Sequence, residues 1–410
     1  MRSWDCWDTL LARRSVKDVR HETDNVFPIA ENVAKVRPDD ILVSDYDDAA
    51  LLRKLIPSIT GLRNRLMVTT DGKLTGRIWS TLRSLGVTEH CGDDPHSDVV
   101  SPQAHGIRGI LSTLTRLTAA EQSLSDGGLV ALARCAREAR LRQYSHVWRH
   151  LELLQTQINF PLLLIAAIIL HREYPSRRFL MSSRDCFLWH RAQQFVRDVH
   201  REDYEVVYFQ TSRIARAFPS PSYLRYVRGQ LPAIITDVGG TGWSLARLLE
   251  RVGCPETPVV LITRYDAEDL RAQYEAIGRT RSAGKVSALL RALVPAGHLE
   301  GMNLANHAMY SNPPETFNPL ELDWERLPEV NAMHTAFFAA LEAARLYDFR
   351  ADFEVTDAVL QEQLYACFVR ANQRLEWSQA VQKISAAEHA AVMQRLRELS
   401  EAGVSLDRPH

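Results

Sequence analysis

A chain of 410 residues, 46% hydrophobic and 24% charged, has the length for two or three domains and enough apolar content to bury sizeable cores. Its formal net charge of -1 gives no electrostatic ground for expecting a nucleic-acid partner. Six scattered cysteines (Cys6, Cys91, Cys135, Cys186, Cys254 and Cys367) form no CxxC pair, which argues against a zinc site or a disulfide framework. Together with the lack of a signal peptide, they point to the cytoplasm.

The opening stretch MRSWDCWDTLLARR reads as a short strand ending in Asp5, after which Cys-Trp-Asp-Thr turns the backbone away. A carboxylate there points into the crevice beyond the carboxyl ends of strands, where α/β proteins hold ligands. Residues 15–39 carry Val26-Phe27-Pro28 and then one short helical stretch, Ala30 to Val36. An apolar run, Asp40-Ile-Leu-Val, ends in Ser44, and Ala49 to Ile59 has helical spacing. A strand at Arg65 to Thr69 leads into Thr70-Asp71-Gly72-Lys73, a lysine set just before a helix at Gly76 to Leu85. Thr88 to Cys91 reads as a strand, and the loop after it, Gly92-Asp93-Asp94-Pro95-His96-Ser97-Asp98, packs three carboxylates together. Val99 to Ile110 carries the last strand of what this alternation predicts to be a doubly wound parallel sheet.

In that order and at those spacings the four segments resemble the haloacid-dehalogenase-like (HAD) superfamily over about the first 110 residues. The resemblance implies an Mg2+-dependent site in which Asp5 is the nucleophile that forms an aspartyl-phosphate. It also implies that Ser44 hydrogen-bonds the transferring phosphoryl group and that Lys73 offsets the negative charge. Asp93 and Asp98, with Asp94 as a possible substitute, would hold the metal alongside Asp5 and the backbone carbonyl of Trp7. Phosphatases of this family usually carry a second Asp two residues after the nucleophile, where this chain has Trp7. Either Asp8 or another domain supplies the proton, or the leaving group needs none, or catalysis has been lost. About 25 residues between the first motif and the second strand, and 29 positions from Ser44 to Lys73, leave no room for a large cap domain. His90 and His96 flank the acidic loop, but Mg2+ disfavours imidazole, so they read as loop or substrate-side residues.

A polar stretch with a Gly pair after Thr118 marks a boundary, and Leu129 to Ile169 has helical spacing with Pro161 starting or kinking the second helix. The most apolar run, Phe160 to Leu170, is shorter than the roughly 20 residues a bilayer requires, so a buried helix and no membrane span are expected. From Arg177 a second α/β unit is predicted, with strands at Arg178 to Met181, Tyr204 to Phe209, Ala233 to Asp237 and Val259 to Thr263. Their ends bring Asp185, Arg213 and the loop Asp237-Val-Gly239-Gly240-Thr241-Gly242-Trp-Ser244 to one edge, and the glycine-rich loop before a helix offers backbone N–H groups to a phosphate. That loop is similar to the ribose-phosphate loop of type I phosphoribosyltransferases. The combined motifs also look like a group of bacterial HAD-like proteins associated with surface-polysaccharide synthesis. Beyond Tyr265 come short helical stretches, a Pro-rich loop at Ser311 to Pro319, and helices from Glu329 to Ala402 in which Phe337, Phe338, Leu341, Ala344 and Leu346 read as core.

The expected organisation is therefore a HAD-like domain at 1–118, a helical linker at 119–176, a second α/β domain at 177–310 and a helical region at 311–410. The leading expectation is an Mg2+-dependent phosphohydrolase or phosphotransferase acting on a phosphorylated metabolite or a sugar or nucleotide substrate. One rival is a phosphoribosyltransferase-like or nucleotide-binding enzyme with its main site in the second domain. The other is a non-catalytic HAD-fold scaffold or regulator.

Overall fold

A computed structural model describes residues 1–14, 25–183, 185–264, 285–292, 328–372, 390, 393–394 and 396–402. Within them the chain is an α/β protein on two parallel five-stranded sheets. It divides into one unit of Met1–Ser125 with Ala133–Arg149 and another of Asp126–Leu132 with His150–His410.

The first unit contains β1 (Arg2–Asp5), β2 (Leu11–Arg13), β3 (Val26–Pro28), β4 (Ile41–Ser44), β5 (Arg65–Val68), β6 (Glu89–Gly92) and β7 (Arg108–Leu111). Its five-stranded sheet has the order β5-β4-β1-β6-β7, every pairing parallel. The chain winds outward from β1 through β4 and β5, then returns to the other side of β1 for β6 and β7. That reversal opens a crevice at the carboxyl ends of β1 and β6, the place where such sheets bind ligands. Side chains alternate between faces. Trp4, Leu42 and Cys91 cluster with Leu52, Leu55 and Ile56 of helix Ala49–Thr60, while Ile41 and Val43 cluster with Ile78, Trp79 and Leu82 of helix Arg77–Ser84. Helices thus cover both faces, as the alternating pattern predicts.

β2 and β3 form an antiparallel pair that the sequence reading did not contain. Leu10, Leu11 and Ala12 are all fully buried. A strand with no solvent face shows no alternation, and its signal is lost.

The run Phe160 to Leu170 belongs to a longer helical element, Arg149–Glu173, whose length and apolarity would suffice to cross a membrane but whose most apolar window is 94% buried inside the structure. That burial is the behaviour of a core helix. Pro161 does not break the element. The turns just before it, Gln155–Asn159, widen to π-helical geometry, which accommodates a residue that has no N–H to give.

The second sheet consists of β8 (Arg178–Ser182), β9 (Glu205–Phe209), β10 (Ile234–Gly240), β11 (Val259–Arg264) and β12 (Val286–Ala288), again all parallel, in the order β12-β11-β10-β8-β9. Here the winding reverses between β8 and β10, so the crevice lies at their carboxyl ends. Two differences from the expected strands matter. β10 continues past Asp237 to Gly240, paired with β11 through Gly239↔Thr263 and Gly240↔Arg264, and β12 is a fifth strand where only helical stretches were anticipated. The Pro-rich loop lies outside the described residues. Helices Pro328–Ala344 and Asp357–Asn372 follow, with Phe337, Leu341 and Ala344 buried. Phe338 is only partly buried, and Leu346, past the end of its helix, is 56% exposed and not core.

Candidate active site

At the end of β1, Asp5 is buried, and its Oδ1 accepts a hydrogen bond from Lys73 Nζ at 2.5 Å. The same ammonium contacts Asp98 Oδ1 at 2.7 Å. Carboxylate oxygens of Asp5, Asp93 and Asp98 all lie within 4.8 Å of one another. Sequence positions 5, 73, 93 and 98 thus converge at the crevice between β1 and β6.

Local chemistry explains the convergence. Gly92 is level with Asp5 across the β1–β6 pairing, and a Cβ on it would stand 2.2 Å from the Asp98 carboxyl carbon. Only glycine leaves room for Asp98 beside Asp5. Asp98 is further held by His90 Nε2–H at 3.2 Å and by the Asp94 N–H at 3.0 Å. His90 is fully buried: its Nδ1 meets Ser3 Oγ at 2.8 Å and its ring stands edge-on to Trp79 at 4.7 Å. Burial pushes the imidazole below its ordinary range, so it is neutral, accepting from Ser3 and donating to Asp98. His90 is therefore a prop for a carboxylate and not the loop or substrate-side residue expected. His96 is exposed in the turn that follows.

Lys73 is placed by its own backbone. Its N–H donates to the Asp45 carboxylate at 3.1 Å, and its carbonyl accepts from Trp79 Nε1 and from Ser101 Oγ, each at 3.0 Å. Ser44 is buried at the end of β4, with Oγ accepting from the Tyr46 N–H at 3.2 Å. Asp94 stands apart from the cluster: exposed, it caps the following turn, taking the N–H groups of His96 at 2.9 Å and Ser97 at 2.7 Å.

The electrostatics are unbalanced, because one fixed ammonium faces three clustered carboxyl groups. Burial, then the charges of Asp8 and Asp98, push Asp93 up to about 6. Burial likewise raises Asp5, against the pull of Lys73. Although burial alone would lower Lys73, Asp5 and Asp98 outweigh it and hold the lysine protonated. Asp98 goes the other way, with its hydrogen bond from His90 and its contact with Lys73 overcoming burial to keep it ionised. Crowded hard oxygens with too little positive charge are what a divalent cation such as Mg2+ neutralises, so these residues suit that metal.

Trp7 occupies the loop after Asp5, its ring edge-on to Tyr46 at 5.4 Å and under the Arg13 guanidinium at 4.5 Å, and it is 8% exposed. Asp8 follows with φ +52, a left-handed backbone uncommon outside glycine, and its charge reaches Asp93.

In the second unit Asp237 is buried inside β10. Its Oδ2 is 3.3 Å from Arg216 Nη1, and its Oδ1 accepts from the Val238 N–H at 2.9 Å. Gly239 and Gly240 are strand residues, so the glycine-rich turn is narrower than expected, starting at Thr241 and ending in Gly242 at φ +68, the cap of helix Trp243–Arg251. Arg213 is exposed at the start of helix Arg213–Ala217. The arginine that reaches Asp237 is Arg216, three residues on, and helical phase from Ser212, the cap, was the signal that could have found it. Asp185 is half-buried, near enough to raise Asp237. The Ser244 hydroxyl lies 3.3 Å from Arg216. All six cysteines are free. No protein-family model and no curated protein matches this chain.

Proposed function

We propose that the first unit is the catalytic unit of an Mg2+-dependent, HAD-type phosphohydrolase or phosphotransferase acting on a phosphorylated small molecule. The observation that carries this reading is the cluster of Asp5, Asp93 and Asp98 within 4.8 Å, with Lys73 bridging Asp5 and Asp98, at the winding reversal of a parallel sheet. Asp5, Asp93 and Asp98 would hold the metal, with the Trp7 carbonyl on the same loop. Bound there, Mg2+ supplies charge neutralisation for the phosphoryl oxygens.

Lys73 occupies one oxygen of Asp5, and Oδ2 has no hydrogen-bond partner among the described residues. That oxygen attacks phosphorus, the bond from phosphorus to the leaving oxygen breaks with its electron pair going to that oxygen, and an acyl phosphate forms on Asp5. Water, or an acceptor hydroxyl, then attacks the same phosphorus and releases the carboxylate. The Ser44 hydroxyl and the Lys73 ammonium steady the transferring group. Trp7, packed against Tyr46, has no proton to exchange with a leaving alkoxide, whereas Asp8 is the carboxyl group that the left-handed turn brings toward Asp93.

The test is phosphate release from a panel of phosphorylated metabolites with Mg2+. Asp5→Asn keeps the shape and loses the nucleophile, so turnover falls to background with the melting temperature preserved. Undiminished turnover in that variant contradicts the reading.

A further inference from the structure

A second cluster of polar groups, unused by the chemistry above, lies at the carboxyl end of the second sheet. Arg216 Nε donates to Thr211 Oγ1, just beyond β9, at 3.0 Å, and Nη1 reaches Asp237 Oδ2 on β10 and Ser244 Oγ at 3.3 Å each. β8 lies between β9 and β10, so the guanidinium spans the carboxyl end of β8. Ser182 is the last residue of that strand. Met181 pairs with Thr236, and Ser182 pairs with Phe209, which puts the Ser182 side chain on the face that carries Asp237 and Arg216. Ser182 is fully buried, and its Oγ has no hydrogen-bond partner among the described residues. An orphaned buried hydroxyl is rare enough to require a reason.

The surroundings supply one. Helix Trp243–Arg251 begins at this edge with Gly242 as its cap; the Trp243 N–H donates to Thr241 Oγ1 at 3.3 Å, while the Ser244 and Leu245 N–H groups have no acceptor among the described residues. Such a terminus attracts anions. Gly239 to Gly242 are only half-buried, so the edge is open to solvent. Both Nη1 contacts, at 3.3 Å, are longer than the ~2.7–2.9 Å of a tight charge-assisted bond, and Nη2 has no acceptor among the described residues. The Nη2 edge of the guanidinium is therefore left to meet a ligand.

We propose that Arg216, Ser182, Ser244 and the first turn of helix Trp243–Arg251 form a binding site for a phosphate group, distinct from the Asp5 cluster, in which Asp237 positions Arg216 and does not touch the ligand. Asp237 and Asp185 would repel an anion, and the Arg216 guanidinium, 3.3 Å from Asp237 Oδ2, offsets the charge of Asp237. This inference does not depend on the chemistry assigned to Asp5.

The full chain, in EDTA so that metal-dependent binding is absent, is titrated calorimetrically with inorganic phosphate, glycerol 3-phosphate and glycerol. Both phosphates bind once per chain and glycerol does not. Tighter binding of the ester marks a metabolite's phosphomonoester as the ligand, and equal binding marks free phosphate. Arg216→Gln weakens binding at least about tenfold. Ser182→Ala weakens it about three- to tenfold without lowering the melting temperature, since the hydroxyl has no partner to lose. Lys73→Ala leaves it unchanged. Because Arg216→Gln strips Asp237 of its cation and can unfold the unit, the serine variant is decisive. Full phosphate affinity in folded Ser182→Ala overturns the proposal, as does no phosphate binding by the wild type, equal binding of glycerol, or binding lost in Lys73→Ala and kept in Arg216→Gln.

Discussion

The two sheets meet the same topological problem with different chemistry. In the first, the winding reverses at β1, and the crevice collects Asp5, Asp93 and Asp98 against the single ammonium of Lys73. In the second it reverses between β8 and β10, and Asp237 meets Arg216 with hydroxyls from Thr211 and Ser244 around the guanidinium. Excess negative charge calls for a metal, whereas a compensated carboxylate holds its arginine in place. On the readings proposed above, one edge serves phosphoryl transfer and the other holds an anion, and the side chains at the strand ends make the difference.

The comparison breaks most visibly at the glycines. Gly92→Ala sets a methyl 2.2 Å from the Asp98 carboxyl carbon, so Mg2+ binding and phosphate release collapse together. Gly242→Ala in the second unit faces φ +68 and Val286 Cγ1 at 2.5 Å, so it lowers the melting temperature and leaves phosphate release intact. Paired activity and thermal-melt measurements check both, and the comparison fails if the two substitutions act alike.

The next largest effect concerns the leaving group. With Trp7 packed against Tyr46, expulsion of an alkoxide has no proton from that position, an omission worth about 100- to 10,000-fold. Rates on acetyl phosphate or an aryl phosphate exceed those on an alkyl monophosphate by that order. Equal rates mean that Asp8 or another domain supplies the proton, and loss of the alkyl activity alone in Asp8→Asn assigns it to Asp8.

A finer distinction separates neighbouring carboxylates. Asp93→Asn weakens Mg2+ binding by on the order of tenfold or more, because it removes charge from the cluster. Asp94→Ala leaves the metal titration unchanged and costs about 0.5–2 kcal/mol of stability, the loss of a turn cap. Swapped outcomes would return Asp94 to the metal.

Much of the first site was legible because its pieces are local in sequence. Asp5, Lys73 and the acidic loop lie at or within a few residues of strand ends, and the alternation of strands and helices dictates that such ends share an edge. What was hidden depends on distance and phase. Arg216 faces Asp237 across 21 positions, and only its turn of helix, not its motif, aims it there. His90 read as a loop residue because its two partners, Ser3 and Asp98, come from a neighbouring strand and from the turn beyond it. β2 and β3 were invisible because buried strands do not alternate, and β12 because three residues carry no periodicity.

The smallest effect concerns acid. His190, buried in helix Phe187–His200, donates Nε2–H to the Val206 carbonyl at 3.1 Å, and burial lowers its pKa to about 4. A depressed folded-state value means that the unfolded chain takes up the proton first. The contribution is fully present above the ordinary value of 6.5 and is lost as pH falls toward 4. His190→Asn flattens that part of the melting-temperature profile between pH 6.5 and 4, and an unchanged slope assigns it to the other histidines that burial depresses, buried His90 and half-buried His171 and His200.

The central claim is that Asp5 becomes phosphorylated. Wild type and Asp5→Asn are each mixed with Mg2+ and acetyl phosphate, quenched in acid, digested and weighed by mass spectrometry. The account predicts one added phosphoryl group on the wild-type peptide that carries Asp5, removed by hydroxylamine and absent in Asp5→Asn. Phosphate release with no such adduct, or an adduct that persists in Asp5→Asn, contradicts it.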